Sequence, residues 1–157
     1  MATILIDRKL TFAIAQYTGL SKEQTSWING LSDDLELFFK SRSYGTDLSE
    51  LYFGLITVKP EFDQFFKKRR PRYRPGERTS IVDGITIKSN NCAEIDVKIE
   101  HSEVSKLEKG KLIEMVCEAI LSECDSLTRF SKLKDFNYKA FKADFESYLI
   151  EQSYIKR

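Results

Sequence analysis

The sequence predicts an α+β protein, with an antiparallel-rich sheet of about four strands and three or so helices packed on it. Two patterns support this prediction. Short segments rich in β-branched and aromatic residues, with partial alternation of apolar and polar side chains, indicate strands. Longer segments with apolar residues three and four positions apart indicate amphipathic helices. The predicted order is β-α-β-β-β-α-α, and 157 residues fit a single domain spanning residues 1–157.

The first two elements are a strand and a helix. Residues 3–12 (TILIDRKLTF) predict the strand, and Ser21 with Gln24 forms a capping box that starts the helix. Asn29-Gly30 either interrupts this helix at a cost of about 1 kcal/mol or precedes a second start capped by Ser32. The apolar stripe of the helix consists of Trp27, Ile28, Leu31, Leu35 and Phe38.

Three strands are predicted in the middle of the chain. Residues 51–59 (LYFGLITVK) are apolar on both alternating faces, which is typical of a central strand covered on both sides. Residues 80–88 (SIVDGITIK) and 92–100 (CAEIDVKIE) follow as two further strands. Ser89-Asn90-Asn91 lies between these two strands and predicts that they form a hairpin.

Two helices are predicted after the strands, over residues 108–130 and 137–151, because the apolar spacing changes to three and four. Cys117 and Cys124 lie seven residues apart on the apolar stripe of the first of them, which predicts buried free thiols. With Cys92 they make an odd count without C-x-x-C spacing. Neither a disulfide framework nor a zinc site is therefore expected.

The sequence carries no recognisable catalytic motif, so we expect a protein that is not an enzyme and binds neither a cofactor nor a metal ion. Its single histidine, His101, lies beside Glu100 and Glu103, but no second histidine exists to complete a metal site. The seven glycines form neither a P-loop nor a G-x-G-x-x-G motif. The N-terminus has no signal-peptide pattern, no apolar run is long enough to span a membrane, and the cysteine usage fits the cytoplasm.

Residues 67–78 (KKRRPRYRPGER) form a basic run in a chain whose formal net charge is only +1. Pro71 and Pro75 exclude a helix here, so the run is predicted to be a loop. Three roles are open: an arm that binds nucleic acid, a loop that docks a partner protein, or a solvated loop whose charges oppose aggregation at strand edges. The predicted binding residues in this run are Lys67, Lys68, Arg69, Arg70, Arg72, Tyr73 and Arg74.

Acidic residues outside this run form two further groups. Glu94, Asp96 and Glu100 lie on the outer face of the last predicted strand. Glu114, Glu118 and Asp125 recur at four and seven on the helix face opposite the apolar stripe. Either group is a solvated surface or an acidic patch that steers a basic protein towards its binding site. Glu94, Asp96, Glu114, Glu118 and Asp125 are therefore predicted to contact a partner.

The order of motifs from about residue 50 to residue 130 resembles that of a known family. An aromatic-rich strand (ELYFGLITVKPEF) is followed by the Lys/Arg-rich connector, a charged alternating strand (AEIDVKIEHSEV) and a helix (KLIEMVCEAILSECDSL). This order resembles small immunity proteins that are encoded beside bacterial polymorphic toxins, including those of contact-dependent growth inhibition systems. The resemblance implies a cytoplasmic α+β protein that catalyses no reaction.

The resemblance also implies a partner, which is the C-terminal effector domain of a cognate toxin. An immunity protein binds this domain and blocks its active site or the entry of its substrate. Tyr52, Phe62 and Tyr73 are candidate aromatic anchors for such a complex. The alternative function is a small nucleic-acid-binding module that uses residues 67–74, in which the cations neutralise phosphates and Tyr73 stacks on a base.

Overall fold

The computed structural model of the protein describes residues 9–58, 72–73, 77–79, 86–100, 103–129 and 133–156. Its strands are β1 (Thr11–Thr18), β2 (Glu50–Val58), β3 (Arg72–Tyr73), β4 (Glu77–Thr79), β5 (Thr86–Asn90) and β6 (Cys92–Glu100). Its α-helices are α1 (Lys22–Phe39), α2 (Lys109–Cys124) and α3 (Tyr138–Glu151). Short 3-10 helices cover Val104–Lys106 and Asp125–Arg129. The predicted α+β class with three helices is confirmed.

The main sheet has the strand order β1-β2-β6-β3, and its three long strands are parallel. The short strand β3 pairs antiparallel with β6 through only two residues, Arg72 and Tyr73. The prediction of an antiparallel-rich sheet of about four strands is therefore wrong, because the sheet consists essentially of three parallel strands. The predicted central strand is confirmed in position, since β2 lies between β1 and β6.

The parallel pairing of these strands explains why the sequence predicted an antiparallel-rich sheet instead. Neighbouring parallel strands need a crossover connection of at least a dozen residues, usually a helix. Helix α1 lies in the first crossover, between β1 and β2. The second crossover runs from Val58 to Cys92 and contains the basic run, and its sequence lacks a clear helical pattern. Without that pattern, the segments on either side of Asn91 resemble a hairpin.

The predicted hairpin of residues 80–88 and 92–100 is also wrong. Strand β5 pairs antiparallel with β4 in a separate two-stranded sheet, whereas β6 belongs to the main sheet. Asn91 lies where the chain passes between the two sheets. Its carbonyl accepts hydrogen bonds from the backbone N–H groups of Ser49 and Glu50, and its side chain donates to the carbonyl of Thr46 at 2.8 Å. Asn91 therefore fixes the entry into β2 as well as the start of β6.

Strand β1 overlaps the predicted first strand (residues 3–12) at Thr11 and Phe12, and residues 1–8 lie outside the described residues. Helix α1 has the predicted capping box, in which the Ser21 hydroxyl accepts from the N–H of Gln24 and the Gln24 side chain accepts from the N–H of Ser21. The helix continues through Gly30 without a second start. Ser32 instead accepts a 2.9 Å hydrogen bond from the N–H of Ile14, beside a register shift in β1.

Five fully buried phenylalanines hold the helices onto the sheet. Phe12 of β1 lies 4.9 Å from Phe39 of α1 and 5.4 Å from Phe145 of α3, measured between ring centroids. Phe53 of β2 and Phe141 of α3 complete the group. Each such ring contributes roughly 1.5–3 kcal/mol through burial alone. The same aromatic cluster therefore fixes α1 and α3 side by side on one face of the sheet.

The two faces of the main sheet differ along each strand. Leu51, Phe53 and Leu55 of β2 are buried in the core that the helices cover, as are Ile95 and Val97 of β6. The alternate residues are half-exposed, namely Tyr52, Gly54, Glu94, Asp96 and Lys98. The helices thus cover one face. We call the other the open sheet face, defined by these five residues, because no helix of the described part of the chain packs on it. The predicted covering of β2 on both sides is only partial there.

Residues 43–47 and 133–137 form two loops that are joined at Gly45. Gly45 pairs with Phe136, the N–H of Asn137 donates to the carbonyl of Tyr44 at 2.7 Å, and the N–H of Asp135 donates to Asp47 Oδ2 at 2.6 Å. Gly45 has a φ of +127°, and a Cβ atom there would lie 2.0 Å from the carbonyl oxygen of Asp135. The contact between the loops therefore requires glycine at position 45.

We predict that Gly45→Ala lowers the free energy of unfolding by at least about 2 kcal/mol, since alanine is strained at this φ and its methyl group separates the two loops. Gly30→Ala is the matched control, because a Cβ at Gly30 meets no atom within 4 Å and the residue lies inside α1. That change is expected to stabilise the protein by about 0.5–1 kcal/mol. Urea unfolding of both variants measures the difference, and equal effects would contradict this account of Gly45.

Candidate functional site

The structure describes only part of the predicted basic loop. Lys67, Lys68, Arg69, Arg70 and Arg74 lie outside the described residues, as do the candidate anchor Phe62 and His101. Arg72 and Tyr73 form β3 and Glu77 begins β4, so these residues of the predicted loop lie in short strands. Proline at position 71 remains compatible with this strand because proline fits at or before the first residue of an edge strand.

The backbone register aligns several of the predicted site residues across the main sheet. Tyr52 of β2 is the register partner of Ala13 on one side and of Glu94 on the other. Arg72 of β3 is in turn opposite Glu94. One residue of the basic run and one residue of the acidic strand therefore occupy neighbouring positions. The basic run and the acidic strand, which the sequence analysis treated as separate groups, therefore adjoin at Arg72 and Glu94.

Tyr52 is held in place on the open sheet face. Its hydroxyl donates a 2.8 Å hydrogen bond to Glu50 Oε1. Burial of the ring, together with this hydrogen bond to a carboxylate, raises the pKa of Tyr52 well above its ordinary value. The hydrogen bond to Glu50 therefore orients the aromatic side chain of Tyr52 on this face.

The remaining predicted acidic residues lie on the other side of the molecule. Glu114 and Glu118 are half-exposed on α2, whose apolar stripe packs into the same core as Ile95 and Val97 of β6. Glu94 and Asp96 alternate with these two core residues and so lie on the opposite face of the sheet. The structure therefore places Glu94 and Asp96 on one side of the main sheet, and Glu114 and Glu118 on the other side. The two pairs do not form one acidic surface.

Asp125 is exposed and connects the end of α2 to α3. The Tyr138 hydroxyl donates to Asp125 Oδ1, and Lys142 Nζ lies 2.9 Å from the same oxygen. These contacts, the tyrosine hydrogen bond first and the lysine second, hold the pKa of Asp125 below its ordinary value. Glu114 has a comparable local partner, since its carboxylate lies 3.6 Å from Lys111 Nζ.

A different set of side chains meets along the seam between α1 and α3. The ring of Phe38 on α1 stacks on the ring of Tyr148 on α3, with 4.0 Å between their centroids. The Arg42 guanidinium carbon lies 4.2 Å from the centroid of the Phe38 ring, and Arg42 Nη1 lies 3.7 Å from Asp144 Oδ2. Tyr44 donates to the same Asp144 oxygen at 2.8 Å. Stacking and hydrogen bonds therefore order the seam along its length.

Asp34 is the second carboxylate of this seam. Tyr148 donates to Asp34 Oδ1 at 2.6 Å, and the Tyr154 hydroxyl donates to Oδ2. Burial, followed by the hydrogen bond to Asp34, raises the pKa of Tyr148 to about 12. The same causes raise the pKa of Tyr154. Two neutral donors thus orient a half-exposed carboxylate.

Leu37 directly precedes Phe38 of this seam in the sequence and is 70% exposed. It is not part of the apolar stripe of α1, which is buried through Ile28, Leu31 and Leu35. Sequence reasoning missed the seam because it placed Phe38 in the apolar stripe of the first helix and did not predict its contact with Tyr148. The signal that could have found it is Leu37 itself, a large apolar residue outside the stripe of an amphipathic helix.

The predicted buried thiols are confirmed. Cys117 and Cys124 are buried free thiols, and Cys92, which this prediction did not cover, is buried as well. Burial raises the pKa of Cys117 to about 12 and also raises the pKa of Cys124, so neither thiol is activated as a nucleophile. Within the described residues, no three His, Cys, Asp or Glu side chains converge in a way that could hold a metal ion.

The fold and its surface define a class: an α+β protein in which three helices cover one face of a parallel sheet and an aromatic seam lies between two of them. A sequence model for the family described as Immunity protein 44 matches residues 9–151, and the chain belongs to this family. The resemblance to immunity proteins of toxin systems is thereby confirmed. No curated protein and no solved structure matches the chain. In the part of the chain that the structure describes, no helix has the length and apolar character needed to cross a membrane.

We predict that Asp34→Asn lowers the pKa of Tyr148 from about 12 towards the ordinary tyrosine value of about 10, because the hydroxyl loses its charged acceptor. Since the folded-state pKa of Tyr148 is raised, its contribution to stability is present below pH 10 and is lost as the pH rises towards 12. The free energy of unfolding of Asp34→Asn should therefore fall less between about pH 10 and pH 12 than that of the unmodified protein. An absorbance titration of tyrosinate in the folded protein measures the pKa.

Asp33→Asn is the control for this titration, because it removes the same charge from the exposed neighbouring residue. We expect the tyrosinate titration of this variant to follow that of the unmodified protein. Identical titrations for Asp33→Asn and Asp34→Asn would show that the two hydroxyl hydrogen bonds do not raise the tyrosine pKa values.

Proposed function

We propose that this protein binds the toxic domain of a cognate bacterial toxin and neutralises it by occupying the surface that the toxin needs for its activity. The observation that carries this proposal is membership of the Immunity protein 44 family over residues 9–151. The protein acts as a binding partner and catalyses no reaction. The partner is a protein, namely the C-terminal effector domain of a polymorphic toxin such as those of contact-dependent growth inhibition systems.

The ordered surface of the protein supports a binding role. Tight protein complexes use aromatic and arginine side chains whose conformations are already fixed, because little conformational entropy is then lost on association. Phe38, Arg42 and Tyr148 are such side chains, and each is held by a stacking or hydrogen-bonding contact within the free protein. The toxin domain acts inside the recipient cell in this proposal, so the complex forms in the cytoplasm.

The charged residues predicted from the sequence belong to this proposal as possible contacts with the toxin. The residues that stay predictions are Lys67, Lys68, Arg69, Arg70, Arg72, Tyr73, Arg74, Glu94, Asp96, Glu114, Glu118 and Asp125. The nucleic-acid alternative receives no support from the described part of the basic run, because Arg72 lies in a strand whose register partner is the acidic residue Glu94. An acidic neighbour reduces the attraction of this position for phosphate.

Co-expression tests the proposed function. We expect the toxin domain encoded by the neighbouring gene to stop bacterial growth when expressed alone, and to be tolerated when this protein is expressed with it. The two chains should co-purify and form a complex with a Kd in the nanomolar range or below, as for other inhibitors that must neutralise a toxic enzyme. An immunity protein from an unrelated toxin system serves as the specificity control. Growth arrest despite co-expression, with no complex recovered, would refute the proposed function.

A further inference from the structure

We propose that the toxin domain docks on the face of α1 that surrounds Leu37, and that it does so with a basic surface containing an apolar pocket. This inference rests on the proposed function and assigns the surface and the chemistry of the partner. We call this region the Leu37 surface and define it by Asp33, Asp34, Glu36, Leu37, Phe38 and Tyr148.

Exposure of Leu37 is the first observation. Among the described residues only Leu37 and Ile150 are large apolar side chains with high exposure, at 70% and 40% respectively. Asp33 precedes Leu37 by four residues and Asp34 precedes it by three, so both are its neighbours on the helix surface. An isolated exposed leucine needs no explanation by itself. Its position within an ordered, charged surface is what indicates a contact site.

Order around Leu37 is the second observation. Phe38 follows Leu37 directly and is fixed between the Tyr148 ring and the Arg42 guanidinium. Tyr148 is fixed in turn by its hydrogen bond to Asp34. Binding at such a surface immobilises few side chains that were mobile before, which favours high affinity. Tyrosine and arginine are also the residue types most enriched at the energetic centres of interfaces.

Charge is the third observation and selects the partner. Asp33 and Glu36 of α1 are exposed and Asp34 is half-buried. Asp33 and Asp34 lie one turn before Leu37, and Glu36 lies one turn after Asp33. The donors to Asp34 are two neutral tyrosine hydroxyls, so its negative charge is oriented without being neutralised by a cation in that contact. Arg42, at the end of this region, lies within ion-pair distance of Asp144. Lys40 is also exposed, three residues after Leu37, but Asp33, Asp34 and Glu36 outnumber it. The surface around Leu37 therefore keeps a net negative charge, which attracts lysine and arginine side chains of a partner.

A matched pair of variants tests the location of the docking surface. Leu37→Lys places a cation in the middle of the proposed interface, and Ile150→Lys makes the same change at the other exposed apolar residue. Against the purified toxin domain from the neighbouring gene, we expect Leu37→Lys to bind at least about thirtyfold more weakly and Ile150→Lys to bind as the unmodified protein does. Both positions are exposed, so thermal unfolding should confirm that each variant stays folded.

Charge-neutralising variants test the chemistry of the partner. Asp33→Asn combined with Glu36→Gln should slow association and reduce its dependence on salt, with little change in the dissociation rate, because exposed charges act mainly on encounter. Glu23→Gln combined with Glu108→Gln removes the same charge from two exposed residues outside the Leu37 surface and is the control. We expect this control variant to associate at nearly the unmodified rate.

The outcomes distinguish the inference from the proposed function. If the unmodified protein binds the toxin domain and Leu37→Lys binds equally well, the docking surface lies elsewhere while the proposed function stands. If Leu37→Ala also leaves affinity unchanged, the same conclusion holds without any introduced charge. If the unmodified protein does not bind the toxin domain at all, the proposed function and the inference both fail.

Discussion

Parallel pairing of β2 with both of its neighbours is the constraint on which the rest of the structure depends. Each parallel neighbour requires the chain to return to the same end of the sheet, and α1 occupies the first return while the segment with the basic run forms the second. One face of the sheet receives the helices, and Phe12 contacts α1 and α3 at once. The seam between these helices is thus a consequence of strand topology.

The seam combines stability and recognition in one set of contacts. Its inner side is the phenylalanine cluster, which is fully buried, and its outer side is the stack of Tyr148, Phe38 and Arg42. Because Phe38 is adjacent to both Phe39 and Leu37, the buried ring fixes the backbone that presents the exposed leucine. Asp34 and Asp144 then order the polar rim through tyrosine hydroxyls. A rigid surface of this composition suits an inhibitor that must bind tightly.

Local elements could be predicted from the sequence, whereas the topology could not. The capping box at Ser21, the helical stripes and the central position of β2 depend on neighbouring residues, and the structure confirms them. Strand direction depends on where a chain travels between strands, and the connection after Val58 has no helical pattern that would indicate a crossover. The sequence placed Glu94 and Arg72 in separate charged groups, whereas the antiparallel pairing of β3 with β6 makes them register partners. In the sequence, Leu37 differs from the other large apolar residues of α1 only in lying outside the apolar stripe of that helix.

We propose that this immunity protein neutralises its toxin by docking through the Leu37 surface. A crystal structure of the complex with the toxin domain tests it most directly. We expect Leu37 to be buried at the centre of an interface of about 800 Å² per partner, with toxin lysine or arginine side chains close to Asp33, Asp34 or Glu36. A complex in which Leu37 remains exposed to solvent, with the toxin bound to the open sheet face or to α2, would contradict the account.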